Sequence, residues 1–301
     1  MDGIRGPVAL AFPGAFVQPS GPEQDFRESH RPIFDAVLAD ASSVVGVDLR
    51  RLSVEQAMAL EEGPRQVFLQ AFGIAAAQVV REAGVPVVAT LGHSLGVYGA
   101  VVAAGALPVS SGLTLVRVAW DLVQEAYQSD PLGMLGIVGL GEDEVLALPG
   151  AEGVQVVLVN APWSLVVAGT PDSLDSLEAS AREAGALKTI RWTDRVAYHH
   201  PVRLAGAAAR LAEVAAREPW RDPEVPIGSP VDGRLARTAP EALALVRDNL
   251  CSPVRWPQAV AAASEAAGFL ECGVGSSLVA LARMLPDDRP WWGARHWKDL
   301  P

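Results

Sequence analysis

Ser94 is the residue of this 301-residue chain whose surroundings most clearly indicate chemistry. It lies in Gly92-His93-Ser94-Leu95-Gly96, with a glycine two residues away on either side. A serine between glycines at a strand-to-helix turn is typical of a strained nucleophile with an exposed hydroxyl. The unpaired N–H groups that begin the following helix can stabilise the negative charge that develops when the serine attacks a carbonyl. The motif therefore predicts acyl chemistry through an ester on Ser94.

Backbone N–H groups near this turn are the expected donors to the oxyanion of such a reaction. The N–H of Leu95, directly after the nucleophile, is the expected first donor. The second donor is expected from the loop that follows the first strand, near Gly14-Ala15. Both would act through the main chain, so the side chain at Ala15 does not decide the chemistry.

A histidine is needed as well, because a serine hydroxyl is a weak nucleophile without a base. His199 and His200 stand together in Tyr198-His199-His200-Pro201, and on chemistry alone either could be that base. His93 adjoins the nucleophile, but it is expected to help the turn pack rather than to act as the base. The residues alone leave the choice between the paired histidines open.

The elements that must position these residues follow an α/β pattern. Two short runs that are apolar at consecutive positions, 7–12 and 85–91, suit strands covered on both faces of a parallel sheet. Helical periodicity alternates with them. The predicted helices span about 32–40, 53–83 with a break near Gly63-Pro64, 95–104 and 111–127.

A β-α-β-β-α-β order follows between residues 133 and 198 and indicates a ferredoxin-like unit. Its strands are expected over 133–138, 154–159, 165–168 and 188–192, with helices from 142 and over 171–184. The predicted fold class is α/β: a large α/β-hydrolase-like domain with a parallel sheet core, plus an inserted small ferredoxin-like domain. The predicted limits are 1–132 and 199–301 for the large domain and 133–198 for the small one.

Composition excludes several other classes of protein. The formal net charge of −11 argues against a nucleic-acid partner, which would require a basic surface. No apolar run reaches the ~18 residues of a membrane span. Two cysteines and no secretory leader favour a cytoplasmic location. No cluster of His, Cys and Asp has metal-ligand spacing, so no metal is expected.

Over most of its length the sequence resembles the malonyl-CoA:acyl-carrier-protein transacylase family of fatty-acid and polyketide synthesis. The nucleophile motif is the family's own, letter for letter. Tyr198-His199-His200-Pro201 resembles the family's Phe-His-(Ser/Thr)-Pro. The other matching segments are Phe12-Pro13-Gly14, Val159-Asn160-Ala161-Pro162, Val167-Ala168-Gly169, Ser252-Pro253-Val254-Arg255-Trp256 and Glu271-Cys272-Gly273-Val274-Gly275.

This resemblance implies a catalytic Ser94–His199 dyad whose histidine is oriented by a backbone carbonyl, here expected to be that of Arg255. It also implies an acyl carrier protein as partner. No bound cofactor is implied, and the phosphopantetheine arm of the carrier, or coenzyme A, would be a substrate. The expected acyl pocket comprises Ala119, Trp120, Asn160, Tyr198 and His200. Arg295 and Lys298, in a C-terminal stretch that also holds several tryptophans, are expected to bind the carrier if the stretch is a basic patch rather than a packed end.

One departure from the family bears on the substrate. Malonyl-type members carry an arginine in a helical segment, and its guanidinium binds the free carboxylate of the malonyl group. Here the ungapped match puts Ala119 and Trp120 where the family has Arg-Gly. Arg117 is two residues earlier and so turned by roughly 200° on a helix. We therefore expect an acyl group without a terminal carboxylate: monocarboxylic, aminoacyl or peptidyl.

Four other functions remain open on the sequence. The chain could be an editing hydrolase that releases acyl groups from carriers, because water or a thiol can attack the same ester. It could be a malonyl transferase with a rearranged carboxylate clamp. A docking module with an inactive site and an unrelated α/β-hydrolase esterase fit less well. The intact serine–histidine pair argues against the docking module, and the inserted ferredoxin-like unit argues against the α/β-hydrolase esterase.

Overall fold

The computed structural model of the chain describes residue 4, residues 6–192 and residues 196–299, with the backbone alone for 298 and 299. Its strands are β1 (Val8–Phe12), β2 (Val87–Gly92), β3 (Gly133–Val138), β4 (Val154–Ala161), β5 (Ser164–Gly169), β6 (Lys188–Arg191), β7 (Ile227–Gly228), β8 (Leu235–Ala236), β9 (Val254–Arg255), β10 (Gly268–Glu271) and β11 (Trp291–Trp292).

The α-helices are α1 (Glu23–Ser29), α2 (Arg31–Val45), α3 (Val54–Met58), α4 (Glu62–Glu82), α5 (Gly96–Ala103), α6 (Val109–Tyr127), α7 (Glu142–Leu146), α8 (Pro171–Glu183), α9 (Ala205–Ala215), α10 (Ala239–Cys251), α11 (Trp256–Ala262) and α12 (Ser277–Ala282). Short 3-10 turns occur at Leu49–Arg51, Ala151–Gly153 and Ala294–Asp299.

The larger sheet has the order β11-β10-β1-β2-β7-β8. Its strands run parallel from β11 to β7, and β8 pairs antiparallel to β7 at one edge. All five residues of β1 are buried, as expected for a strand with elements packed on both faces. The predicted parallel core is therefore present, with one antiparallel edge that the sequence did not indicate. This edge is formed by two-residue strands, which are too short to show a periodicity.

The smaller sheet has the order β6-β3-β5-β4-β9. The predicted β-α-β-β-α-β unit supplies its first four strands, which pair antiparallel. The fifth strand, β9, comes from beyond residue 198 and pairs parallel to β4. The sheet therefore extends past the predicted limits of 133–198, because a segment of the C-terminal part of the chain completes it.

Helix α4 forms one wall of the site and begins earlier than predicted. The break in the helical segment lies between Met58 and Glu62, so Gly63 and Pro64 are in the first turn of α4. Proline is tolerated there, because the first N–H groups of a helix have no intrahelical partner. Most of α4 is buried in the main hydrophobic core, between the larger sheet and α2 and α6.

Candidate active site

Ser94 lies on a strained turn between β2 and α5. Its backbone φ is +55°, a value that residues with a side chain rarely adopt. The two flanking glycines are required by close packing: a Cβ at Gly96 would overlap the carbonyl oxygen of Phe12, and one at Gly92 would overlap the backbone of Val97. The Gly-x-Ser-x-Gly spacing therefore reflects how closely β1, β2 and α5 approach one another at this point.

His199 is hydrogen-bonded to the nucleophile. Ser94 Oγ lies 2.7 Å from His199 Nε2, and His199 Nδ1 lies 2.6 Å from the carbonyl oxygen of Asn249. A carbonyl only accepts, so Nδ1 carries the proton and Nε2 is free to accept the serine proton. His199 also has a positive φ, +61°. The geometry suits a general base beside a serine nucleophile.

The orienting carbonyl belongs to Asn249, and the expectation that Arg255 would supply it is wrong. Asn249 is in the last turn of α10, where carbonyls lack an intrahelical partner and can accept from other groups. Its side-chain amide also donates to the carbonyl of Ser94, at 3.1 Å. The guanidinium of Arg255 instead donates hydrogen bonds to both carboxylate oxygens of Glu142, at 2.8 and 3.0 Å. This pair joins β9 to the start of α7.

Burial lowers the pKa of His199 from 6.5 to about 4. The hydrogen bond to the Asn249 carbonyl opposes this effect, and the neighbouring His93 adds to it. Desolvation disfavours the charged imidazolium. The ring is therefore neutral at physiological pH, which is the state in which it can take a proton from Ser94.

The two predicted oxyanion residues both line the space in front of the nucleophile. Leu95 and Ala15 border the same cavity as Ser94. The loop after β1 passes very close to the turn: a Cβ at Gly14 would lie 3.5 Å from Ser94 Cβ and 3.3 Å from His93 Nδ1. That the backbone N–H groups of Leu95 and Ala15 donate to the oxyanion stays a prediction.

Two cavities meet at the dyad. One, of about 40 Å³, lies between α4, α6 and the end of α10. The other, of about 410 Å³, lies between the smaller sheet and α12. Ser94, Tyr198 and His199 border both, together with Ala15 and Phe16. The site therefore opens to two sides of one reacting centre.

The predicted pocket residues are divided between these cavities. Ala119, Trp120 and Tyr198 line the smaller one, and Asn160 and Tyr198 line the larger one. His200 lines neither, contrary to expectation; its Nδ1 accepts from the N–H of Arg203 at 3.4 Å. Because the backbone turns sharply at His199, the side chain that follows is directed elsewhere.

Asn160 connects the smaller sheet to the nucleophile turn. Its Oδ1 accepts a 2.9 Å hydrogen bond from Nε2 of His93, whose ring packs edge-on against Trp256. Burial lowers the pKa of His93. His93 therefore has the packing role expected from the sequence, with a partner on β4.

Gln66 is a pocket residue that sequence reasoning missed. It is 4% exposed on α4, lines the smaller cavity and donates from Nε2 to Glu62 at 2.9 Å and to the Tyr198 hydroxyl at 3.3 Å. A glutamine among the apolar residues of this helix was the available signal. Asn249 was missed for another reason, since its role rests on a backbone carbonyl that carries no side-chain signature.

No described residue that lines either cavity is an arginine or a lysine. Arg117, the nearest cation in sequence to Ala119, pairs instead with Asp121 at 3.0 Å and is 37% exposed. The walls next to Ser94 thus offer hydrogen-bond donors and apolar surface, without a fixed positive charge in the described part of the chain.

The C-terminal basic residues have different environments. Arg295 is exposed, whereas Arg289 stacks on Phe269 and pairs with Asp287. Trp297 is buried against Phe26, with ring centroids 4.3 Å apart. The side chain of Lys298 lies outside the described residues. This end of the chain is therefore packed against the domain through its aromatic residue, with Arg295 projecting outward.

Arg283 is a further exposed cation, and it directly precedes Met284 of the larger cavity wall.

Among the residues that the structure describes, no group of His, Cys, Asp and Glu is placed to hold a metal ion. None of the described helices combines the length and apolarity that a membrane crossing requires.

Comparison with known proteins places the chain in a family. Residues 50–283 match the family model described as the acyl transferase domain. Over 291 residues the chain is 31% identical to the malonyl CoA-acyl carrier protein transacylase of Escherichia coli K12, covering 93% of each chain. It is also 31% identical over 209 residues to the polyketide biosynthesis protein ThaF of Burkholderia thailandensis, covering 68% of this chain and 18% of that one.

The fold agrees with this assignment. A structure described as a type II polyketide synthase acyl-carrier protein in complex with its malonyl-transacylase (PlMCAT:AntF) superposes with a TM-score of 0.86 at 26% identity, covering 98% of this chain and 99% of that one. With the serine–histidine geometry described above, these matches identify the chain as an acyltransferase that belongs to the malonyl-CoA:acyl-carrier-protein transacylase family.

Proposed function

We propose that this enzyme holds an acyl group without a terminal carboxylate as an ester on Ser94 and passes it to the phosphopantetheine thiol of an acyl carrier protein. The setting we propose is polyketide-type or macrolactam-type biosynthesis. The observation that carries the proposal is the Ser94–His199–Asn249 chain of short hydrogen bonds between two cavities that offer no described cation. The similarity to a polyketide biosynthesis protein supports the setting.

The first half-reaction loads the serine. Ser94 Oγ attacks the thioester carbonyl while His199 Nε2 takes the hydroxyl proton, and the N–H groups of Leu95 and Ala15 stabilise the oxyanion. When the C–S bond breaks, the departing thiolate takes the proton from His199. In the second half the carrier thiol gives its proton to His199, attacks the ester carbonyl and releases Ser94 with that proton.

The charge of the walls supports a substrate without a carboxylate. A malonyl group on Ser94 would bring an anion into a small, mainly apolar cavity where Ala119 supplies no counter-charge. Burying an unpaired carboxylate costs several kcal/mol. Simple monocarboxylic groups avoid that cost, and aminoacyl or peptidyl groups avoid it when their amine is neutral.

A carrier protein would need a local cationic surface, because carriers of this kind are acidic and the chain has a net charge of −11. Arg295 and Lys298 remain the docking residues proposed from the sequence, and Arg295 is exposed. Arg283, next to the wall of the larger cavity, is a second candidate. Arg283→Glu and Arg295→Glu should each slow transfer to a carrier, most at low salt, and leave acylation by a small thioester unchanged. If neither variant changes transfer, the docking surface lies elsewhere.

The test of the proposal is intact-mass spectrometry of the protein after incubation with acyl thioesters, followed by a phosphopantetheinylated carrier protein. We expect an adduct from monocarboxylic or aminoacyl donors and none from malonyl, absent in Ser94→Ala and discharged onto the carrier. A malonyl adduct would refute the argument from Ala119. An adduct lost to water at the same rate with or without carrier would identify an editing hydrolase, and no adduct from any donor would support a docking module.

A further inference from the structure

We infer that Trp120, seated on Gly63, closes the smaller cavity and limits the acyl group to a short chain of roughly two to four carbon atoms. The inference rests on the proposed function and specifies its substrate. Its physical basis is the contact between two helices next to the nucleophile.

The indole of Trp120 on α6 lies directly against the backbone of Gly63 in the first turn of α4. A Cβ on Gly63 would be only 2.6 Å from Trp120 Cδ1 and 2.8 Å from Nε1. Glycine at position 63 therefore makes room for the ring, and any side chain there would displace it. Trp120 also lines the smaller cavity, so its placement determines how much space remains beyond Ala119 and Val123.

The remaining space is small. At about 40 Å³ it is about a tenth of the size of the larger cavity, and it has room for only a few groups the size of a water molecule. A methyl or methylene group is similar in size to water. About three carbons beyond the carbonyl therefore fill the cavity, which corresponds to a butyryl group.

The acyl chain, rather than the thiol arm, is assigned to the smaller cavity by the geometry of the reaction. The thioester carbon attacked by Ser94 carries the acyl chain on one side and the sulfur on the other, so each cavity must take one of them. The phosphopantetheine arm is long and enters from the protein surface. Only the larger cavity, at about 410 Å³, offers that much room, and exposed Arg283 is next to its wall residue Met284.

The test uses N-acetylcysteamine thioesters of acetyl, propionyl, butyryl and octanoyl groups, which avoid any dependence on carrier recognition. The measured quantity is kcat/KM for adduct formation on Ser94, and the adduct is detected by the intact mass of the protein. We expect about a fourfold rise for each methylene added up to butyryl, and for octanoyl at least a tenfold fall below butyryl. Trp120→Ala should raise the octanoyl rate at least tenfold relative to the acetyl rate.

Two tryptophans serve as matched controls. Trp163, half-exposed between β4 and β5, lines neither cavity, so Trp163→Ala should leave the chain-length profile unchanged. Trp192 lines only the larger cavity. If Trp192→Ala extends the profile to octanoyl and Trp120→Ala does not, the acyl chain occupies the larger cavity and the inference is overturned.

A second variant keeps the inference testable if Trp120→Ala fails to fold. Gly63→Ala should push the indole into the cavity and lower the butyryl rate relative to acetyl by at least fivefold. An unchanged ratio in the folded variant would contradict the inference. Octanoyl adducts on the wild-type protein that form as fast as butyryl adducts would also refute the inference while leaving the proposed function intact. The absence of an adduct from every monocarboxylic and aminoacyl donor would refute the proposed function itself.

Discussion

The pH dependence of Ser94 acylation follows from the burial of His199. The ring is 4% exposed, and burial lowers its pKa from 6.5 to about 4. At pH 5.5 a histidine with a pKa of 6.5 would be about 9% neutral, whereas one with a pKa of 4 is about 97% neutral. Acylation should therefore proceed at nearly its full rate at pH 5.5 and decline only as the pH approaches 4.

The measurement is a quench-flow single turnover with an uncharged thioester, sampled from pH 4 to 8 and analysed by intact mass. His200→Ala is the matched control, because His200 lines neither cavity and its loss should not move the midpoint. A midpoint near 6.5 in the wild-type protein would refute the reasoning, since it would mean that the base is solvated when it reacts. Loss of folded protein is monitored by circular dichroism at each pH.

The same pKa has a consequence for stability. The folded-state pKa lies below the unfolded one, so between about 4 and 6.5 the unfolded state binds more protons. The contribution of His199 to the free energy of unfolding is therefore complete above pH 6.5, falls as the pH drops from 6.5 to 4, and is lost below 4. The total loss is about 3 kcal/mol, because the two pKa values differ by about 2.5 and each pKa unit corresponds to about 1.36 kcal/mol. His199→Phe should remove this contribution from the pH dependence of urea unfolding curves and leave the part that comes from buried His93.

Three further predictions concern the walls of the site. Gly96→Ala should cost at least about 3 kcal/mol of unfolding free energy, because its Cβ has no room beside β1, whereas Gly206→Ala, where the space is open, should cost nothing measurable in the same urea titration. Asn160→Leu should cost about 1–3 kcal/mol by leaving buried His93 Nε2–H without an acceptor, and an unchanged urea midpoint would contradict this. Ala119→Arg should create a malonyl adduct on Ser94 and reduce the butyryl adduct; a folded variant without a malonyl adduct would show that the cavity cannot accept the guanidinium.

Short-range features of this protein were predictable from the sequence. The turn at Ser94 was predicted because its causes, an apolar strand, two glycines and a helix, lie within a few residues of one another. The β-α-β-β-α-β order was predictable for a similar reason, since each of its elements is long enough to show a period. Ala15 was likewise expected near Ser94 as part of the oxyanion loop, and the structure places it there because the parallel strands β1 and β2 end at the same edge of the sheet.

Only the tertiary structure decided which distant groups meet. The carbonyl that orients His199 is 50 residues away in sequence and has no side-chain signature, so the family resemblance pointed to Arg255 instead of Asn249. Strand β9 joins the smaller sheet although it has only two residues. The size of the smaller cavity depends on Trp120 resting on Gly63, a contact between two separate helices. Residue types and their local spacing determined the chemistry, whereas the packing of remote segments determined its partner groups and the space left for substrate.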